Sequence, residues 1–226
     1  MKTIVITAGG TKENIDAVRA ITNTGTGSLG ARIADEIYMS GVRLIYIHTK
    51  GAIKPQNVEN WIGAEFIPYE VSDTKSVLDA VMDVMANYEV DWFIHSMAIS
   101  DYMVEGVYDD KGERIDNSKK ISSDMELLNV KLVKTPKIIN LIKELNPKTK
   151  LIGFKLLNNV EDKDLINAAK HQIEVAHSDY VLANDSSKID KNSHRALFID
   201  KNGNVVNTFN TKDEIAEGIF KTIFTK

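Results

Sequence analysis

Two kinds of apolar pattern alternate along the chain. Short apolar runs at residues 3–8, 42–48, 65–69, 91–97 and 151–154 read as strands, those at 3–8 and 151–154 as buried ones. Between them, Leu29, Ile33 and Ile37 with Ala31 and Ala34 recur at helical spacing up to Gly41, with Ser28 placed as an N-cap. Val77, Leu78, Val81, Met82 and Met85 predict a second helix over 73–88, Pro136 opens a third that runs to 145, and a fourth covers 161–177. Residues 127–133 alternate like a strand. A strand at 180–183 runs into Asn184-Asp185-Ser186-Ser187, residues 196–200 and 205–209 form a hairpin about Lys201-Asn202-Gly203, and Ile215, Ile219 and Ile223 mark a closing helix. Strands alternating with helices predict an α/β, doubly wound, Rossmann-like and mostly parallel sheet ending in a C-terminal β-hairpin. No internal repeat divides the chain, so residues 1–226 read as a single domain.

Two stretches interrupt this rhythm. Residues 7–30, directly after the first strand, hold five of the thirteen glycines. Residues 98–124 lose all periodicity, turn polar around Asp109-Asp110-Lys111-Gly112 and read as a long mobile lid loop. In a doubly wound sheet, ligands bind beyond the carboxyl ends of the strands. That places the glycine-rich stretch, Ala98 to Asp101, the region after Phe154, and Asn184-Asp185 on one edge.

Composition narrows the chemistry. With 43% hydrophobic and 27% charged residues and a net charge of −4, the chain is an ordinary globular protein with no general attraction to nucleic acid or an anionic membrane. Any phosphate must be held by local geometry. The absence of cysteine removes disulfides, thiolate nucleophiles and Cys-based zinc sites. No apolar run approaches the roughly 20 residues of a membrane span, nothing at the start resembles a secretory signal, and a cytoplasmic location is expected. The five histidines show no metal-ligand spacing, and neither a Gly-x-Ser-x-Gly elbow nor a P-loop is present.

Gly25-Thr26-Gly27-Ser28-Leu29-Gly30 matches the dinucleotide fingerprint formally, but it starts some sixteen residues after the first strand ends, and the second strand closes on His48-Thr49-Lys50 rather than on an acid. Tyr46 and Lys50 have the spacing of a reductase pair without its helix. What remains is a helix N-terminus fed by a glycine loop, suited to phosphate, or a turn that serves packing alone. Arg19 and Asn23 would point the same way if a helical turn forms there; the bland alternative is a solvated arginine and a capping asparagine. Asp101 is either a ligand acceptor or a turn cap, and Lys119 and Lys120 are either a closing phosphate grip or wet surface.

Read together, these segments resemble the phosphopantothenoylcysteine synthetase family. Residues 7–23 are similar to its signature loop T-x-G-G-T-x-E-x-I-D-x-V-R-x-I-x-N, and Ala98-Ile99-Ser100-Asp101-Tyr102 to its A-V-A-D-[WY]. Lys120-Ile121-Ser122-Ser123 is similar to its lid, Leu132-Val133-Lys134-Thr135-Pro136 to its L-V-K-T-P, Gly153-Phe154-Lys155 to its G-F-[AK], and Ala183-Asn184-Asp185 to its A-N-D. The resemblance implies ligation of 4′-phosphopantothenate to L-cysteine at the expense of a nucleoside triphosphate. CTP is expected as co-substrate, with ATP less expected, and Mg²⁺ as cofactor on the phosphates rather than in a protein metal site. By resemblance, Asn23, Arg19 and Lys120 would be catalytic. Ala98, Asp101 and Arg19 would bind substrate, and Gly10, Gly27, Lys120, Phe154 and Asn184 the nucleotide. A homodimer, with Arg19 acting within or across it, and a synthetase free of a decarboxylase domain are expected.

One departure matters. Where the family usually reads Ser-Ser-Gly-[KR]-Met-Gly, residues 25–30 lack the basic residue, and the lid carries Ser122 and Ser123 where some bacterial members have further lysines. Two rival readings follow from the same residues: an NAD(P)-dependent oxidoreductase, and a non-catalytic nucleotide-binding dimer of the same fold.

Overall fold

The computed structural model describes residues 1–58, 63–190 and 192–225. The first half of the chain forms β1 (Thr3–Ala8), β2 (Lys12–Asn14), β3 (Ala20–Thr22), α1 (Ser28–Tyr38), β4 (Arg43–Thr49), β5 (Glu65–Val71), α2 (Thr74–Asn87) and β6 (Trp92–His95). There follow β7 (Tyr102–Tyr108), β8 (Arg114–Ile115), β9 (Asn129–Lys134), α3 (Ile138–Leu145) and β10 (Lys150–Leu157). The remainder is α4 (Asp162–Ala176), β11 (Tyr180–Ile189), β12 (His194–Asp200), β13 (Val205–Phe209) and α5 (Lys212–Phe224).

Eight strands build one sheet in the order β13-β12-β11-β10-β6-β1-β4-β5. From β5 to β11 every pairing is parallel, and β12 and β13 run antiparallel at the edge. The expected doubly wound sheet and its terminal hairpin are both present. The chain leaves β1 toward β4 and β5, then returns to lay β6 on the other side of β1. That reversal opens a crevice at the carboxyl ends of β1 and β6.

Strand β1 is buried along its whole length, and its side chains alternate between two cores. Ile4, Ile6 and Ala8 pack with Ile33 and Ile37 of α1 and Ile215 and Ile219 of α5. Val5 faces the opposite side, where Ile45, Ile47 and Phe93 meet Val77, Val81 and Val84 of α2 and Ile138 and Ile142 of α3. A third cluster, Leu165 and Ala169 of α4 against Val181, Ala183, Leu197 and Ile199, covers the β11–β12 end. No helix among the described residues is long and apolar enough to cross a membrane.

The two interrupted stretches are where expectation and structure part. The glycine-rich stretch contains a hairpin, with Lys12, Glu13 and Asn14 paired to Thr22, Ile21 and Ala20. The 98–124 segment is not a featureless loop: β7 and β8 lie in it, and with β9 they form a separate three-stranded antiparallel sheet. Its strands escaped detection because no helix covers them. Tyr102, Met103 and Leu132 stay exposed, so no core face imprints a period on the sequence. Strand β11 also runs on past Asn184 to Ile189, with a register shift where it pairs β12.

Phe93 is fully buried at the centre of the second core. Phe93→Ala should lower the unfolding free energy by about 3–5 kcal/mol in urea titration, whereas exposed Val18→Ala should change it by about 0.5 kcal/mol or less.

Candidate functional site

The crevice at the reversal point is a cleft of about 420 Å³. Its walls come from five segments distant in sequence: residues 25–30, His95 to Asp101, Thr135 to Ile139, Phe154 to Leu156, and Asn184 with His194. Hydrogen bonds fasten the second to residues 9–23, the stretch that leads into the first. Ala98 N–H donates to Gly9 O at 2.9 Å, and Ala98 O accepts from Thr11 N–H at 3.0 Å and from Asn23 Nδ2 at 3.1 Å. Gly10 permits this closeness, since a Cβ there would lie 2.6 Å from Asn23 O. Thr11 Oγ1 accepts from Ser100 N–H, and Thr135 Oγ1 donates to Ser100 O at 2.6 Å, so the segment bearing Ala98 and Asp101 is held from both sides.

The helical turn considered for Arg19 and Asn23 does not form. Asp16 accepts the N–H groups of Val18 and Arg19, closing a tight turn, and the chain continues as β3. An extended strand carries Arg19 and Asn23 to opposite ends of the hairpin. Asn23 abuts Ala98 beside the cleft. Arg19 forks onto the buried Asp16 carboxylate at 2.9 and 2.5 Å and donates to Ile121 O at 3.0 Å, while Ile121 N–H donates back to Asp16 at 3.1 Å. The Arg19 guanidinium beside Asp16 holds its carboxyl well below the usual carboxylate range. This clasp pins the lid through buried Ile121 and leaves Lys119 and Lys120 exposed. The hairpin's other anchor is Glu13, which accepts from Thr74 N–H and Thr74 Oγ1 at 2.9 and 2.6 Å at the positive end of α2.

Of the residues singled out from sequence, Gly27, Ala98, Asp101, Phe154 and Asn184 line the cleft. Gly10, Asn23, Arg19 and Lys120 lie off its wall: Gly10 and Asn23 in the joint behind Ala98, Arg19 at the clasp, Lys120 on the lid. Asp101 sits at the rim, paired with Lys137 Nζ at 2.5 Å, with both side chains largely in solvent. Strand alternation divides the Asn184-Asp185 pair. Asn184 faces the cleft, while Asp185 turns away to accept from the N–H groups of Asn159, Val160 and Ser187.

Two histidines went unremarked in the sequence. His95 is the last residue of β6; its Nδ1 shares a hydrogen bond of 3.1 Å with Thr7 Oγ1, which also accepts from Met97 N–H at 3.1 Å. His194 receives the Asn184 amide on Nε2 at 3.1 Å, and its buried Nδ1 has no partner among the described residues. Position at a strand end was the one available signal for His95. The hairpin, read from residue 196, missed His194 by two positions. Gln172, whose buried Nε2 is likewise unpartnered and packs against Gly153, carried no signal at all.

The family model for the DNA/pantothenate metabolism flavoprotein C-terminal domain matches residues 1–226. The chain belongs to this family. A solved structure, the DNA/pantothenate metabolism flavoprotein from Streptococcus pneumoniae, is 36% identical, covers 99% of this chain and 98% of its own, and superposes with a TM-score of 0.86. The C-terminal domain of a coenzyme A biosynthesis bifunctional protein CoaBC is 25% identical over 98% of this chain and 93% of its own, with a TM-score of 0.71. Among curated relatives, the coenzyme A biosynthesis bifunctional protein CoaBC of Thermococcus kodakarensis is 33% identical over 222 residues, 98% of this chain and 51% of the relative. The chain thus spans about half the length of the curated relatives it matches. The resemblance drawn from the six motifs holds at the level of the family and of the Rossmann-like fold.

Burial pushes His95 and His194 down to about 4, with the nearby Lys212 charge adding to the effect on His194. Unfolding restores the ordinary value of about 6.5. Stability is therefore full above pH 6.5 and falls as pH drops toward 4, by up to about 1.4 kcal/mol per pH unit for each histidine. Urea titrations between pH 7 and 4.5 should show this slope, and His95→Gln should remove about half of it.

Proposed function

We propose that this protein joins the carboxylate of 4′-phosphopantothenate to the amine of L-cysteine in coenzyme A biosynthesis, with CTP as the activating nucleotide. A carboxylate oxygen attacks the α-phosphorus and pyrophosphate leaves. The cysteine nitrogen then attacks the acyl carbon, expelling CMP and losing a proton as the amide forms. Such chemistry asks for positioning and charge neutralisation rather than a protein nucleophile. The observation that carries the reading is the convergence of five motif segments on one cleft at the sheet's reversal point, with the sixth, the lid, clasped beside it through Asp16, Arg19 and Ile121.

In this reading Gly27, Phe154 and Asn184 bind the nucleotide, and Ala98 and Asp101 the pantothenate or nucleotide. Asn23, fixed on Ala98 O, orients the acyl group and the incoming amine. Lys120 closes on the phosphates from the lid, and Arg19, held at the clasp, sets the lid's anchor. Mg²⁺ accompanies the triphosphate: Asp101 is the one carboxylate lining the cleft, and no acid or histidine cluster able to hold a metal occurs among the described residues. A homodimer accords with exposed Val18, Ile21, Tyr102, Met103 and Leu132 on the two accessory sheets. A nicotinamide site finds less support, because β4 ends in buried His48 and Thr49 where a ribose would need an acid.

Turnover with CTP and ATP side by side, with Mg²⁺, is the decisive assay. Pyrophosphate release should require phosphopantothenate and nucleotide together, amide should appear only with cysteine, and CTP should be preferred. Asn23→Asp should slow amide formation by about 100-fold while largely retaining pyrophosphate release. Unchanged amide formation removes Asn23 from the mechanism, and tight NAD(P)H binding without ligation would replace the reading altogether.

A further inference from the structure

The start of α1 is prepared for anionic charge but contains no cation of its own. Residues 25–30 hold neither a basic nor an acidic side chain. Gly27, with φ of 74°, turns the chain into the helix without any side-chain cap, and the first turn carries no acid. Ala31 N–H bonds to Gly27 O, whereas the N–H groups of Leu29 and Gly30 have no hydrogen-bond partner among the described residues. By themselves these features mark only a helix end.

Two further observations give it direction. Lys212, the first residue of α5, which packs beside α1 on the same face of the sheet, donates from Nζ to Ser28 Oγ at 2.8 Å. Its charge faces a neutral hydroxyl. The nearby carboxylates are engaged elsewhere, Asp213 by Arg32 at 2.5 Å and Asp190 by the N–H groups of Asn192 and Ser193. Independently, His194 is more than nine-tenths buried, lines both the main cleft and the adjoining groove that Lys212 borders, and carries a buried Nδ1 with no hydrogen-bond partner among the described residues. Helix amides and an ammonium thus flank the entrance to α1 from two elements, with the His194 imidazole lining the same cleft, donors suited to a polyphosphate chain.

We propose that Lys212 supplies the cation that grips the triphosphate chain at the N-terminus of α1, replacing from the C-terminal helix the basic side chain that the glycine loop lacks. The position explains why Ser28 suffices in the loop: its short side chain leaves room for a lysine arriving from α5. α5 is a rigid donor for this purpose, capped by Thr211 Oγ1 on Glu214 N–H and seated in the core by Ile215, Ala216 and Ile219. The identity of the anion as a nucleoside triphosphate rests on the ligase reading; the existence of the anion site does not.

Calorimetric titration of the full chain with inorganic tripolyphosphate tests this. Lys212→Met should weaken binding by about tenfold or more, and Lys212→Arg should stay within about threefold of wild type. Adding Ser28→Lys to Lys212→Met should recover most of the loss by returning the cation to the loop. Undiminished binding by Lys212→Met, equal losses in the Met and Arg variants, or no tripolyphosphate binding by the wild-type chain would each overturn the proposal. Pyrophosphate release from CTP and phosphopantothenate, assayed alongside, separates the two readings. Binding that responds to Lys212 without release leaves this site standing and removes the ligase.

Discussion

The structure depends on one short joint, the backbone of Ala98 threaded between Gly9 O and Thr11 N–H. Parallel strands β1 and β6 end side by side, and a sheet of this kind leaves their last polar groups unpaired unless the following loops satisfy them. Ala98 resumes the parallel pairing beyond both strands in an isolated bridge with Gly10, and Asn23 adds its amide to the same carbonyl. Gly10 is required because the Asn23 backbone occupies the space of its missing side chain. With the joint made, the loop after β1 is drawn off the sheet axis, and the first turn of α1 opens onto the cleft.

Around that joint, buried charge is used for anchorage. Glu13 holds the hairpin to α2, Asp16 and Arg19 hold the hairpin to the lid, and Asp185 holds the loop after β10. Asp16 and Asp185 each accept several N–H groups, and Glu13 an N–H and a hydroxyl, which offsets the cost of taking their charge out of water. The residues that line the cleft are mostly neutral: Ala98, Ser28, Asn184 and two imidazoles kept uncharged by burial. A cleft lined in this way rewards an anion that brings its own charge and counter-ion.

The motif residues proved unequal in kind once placed. Within Asn184-Asp185, one side chain serves the cleft and the other the scaffold, a division set by strand alternation that the residue types alone do not reveal. Arg19 and Asn23, four apart in sequence, act at opposite ends of a hairpin because the Asp16 turn prevents a helix. The segment at 98–124 hid two strands, because an accessory sheet open to solvent leaves no alternating core pattern.

What the sequence alone determined is the doubly wound sheet, its terminal hairpin and the edge on which a ligand must sit, because burial between two layers of helix writes a period into the residues that form it. The motifs added the family. Tertiary structure alone decided that Lys212 lies on Ser28 across 184 positions, that His95 and His194 border one cleft, and that Ile121 fastens the lid to Asp16. Contacts of that kind are made between elements whose relative placement follows from packing. No local pattern of residues records them.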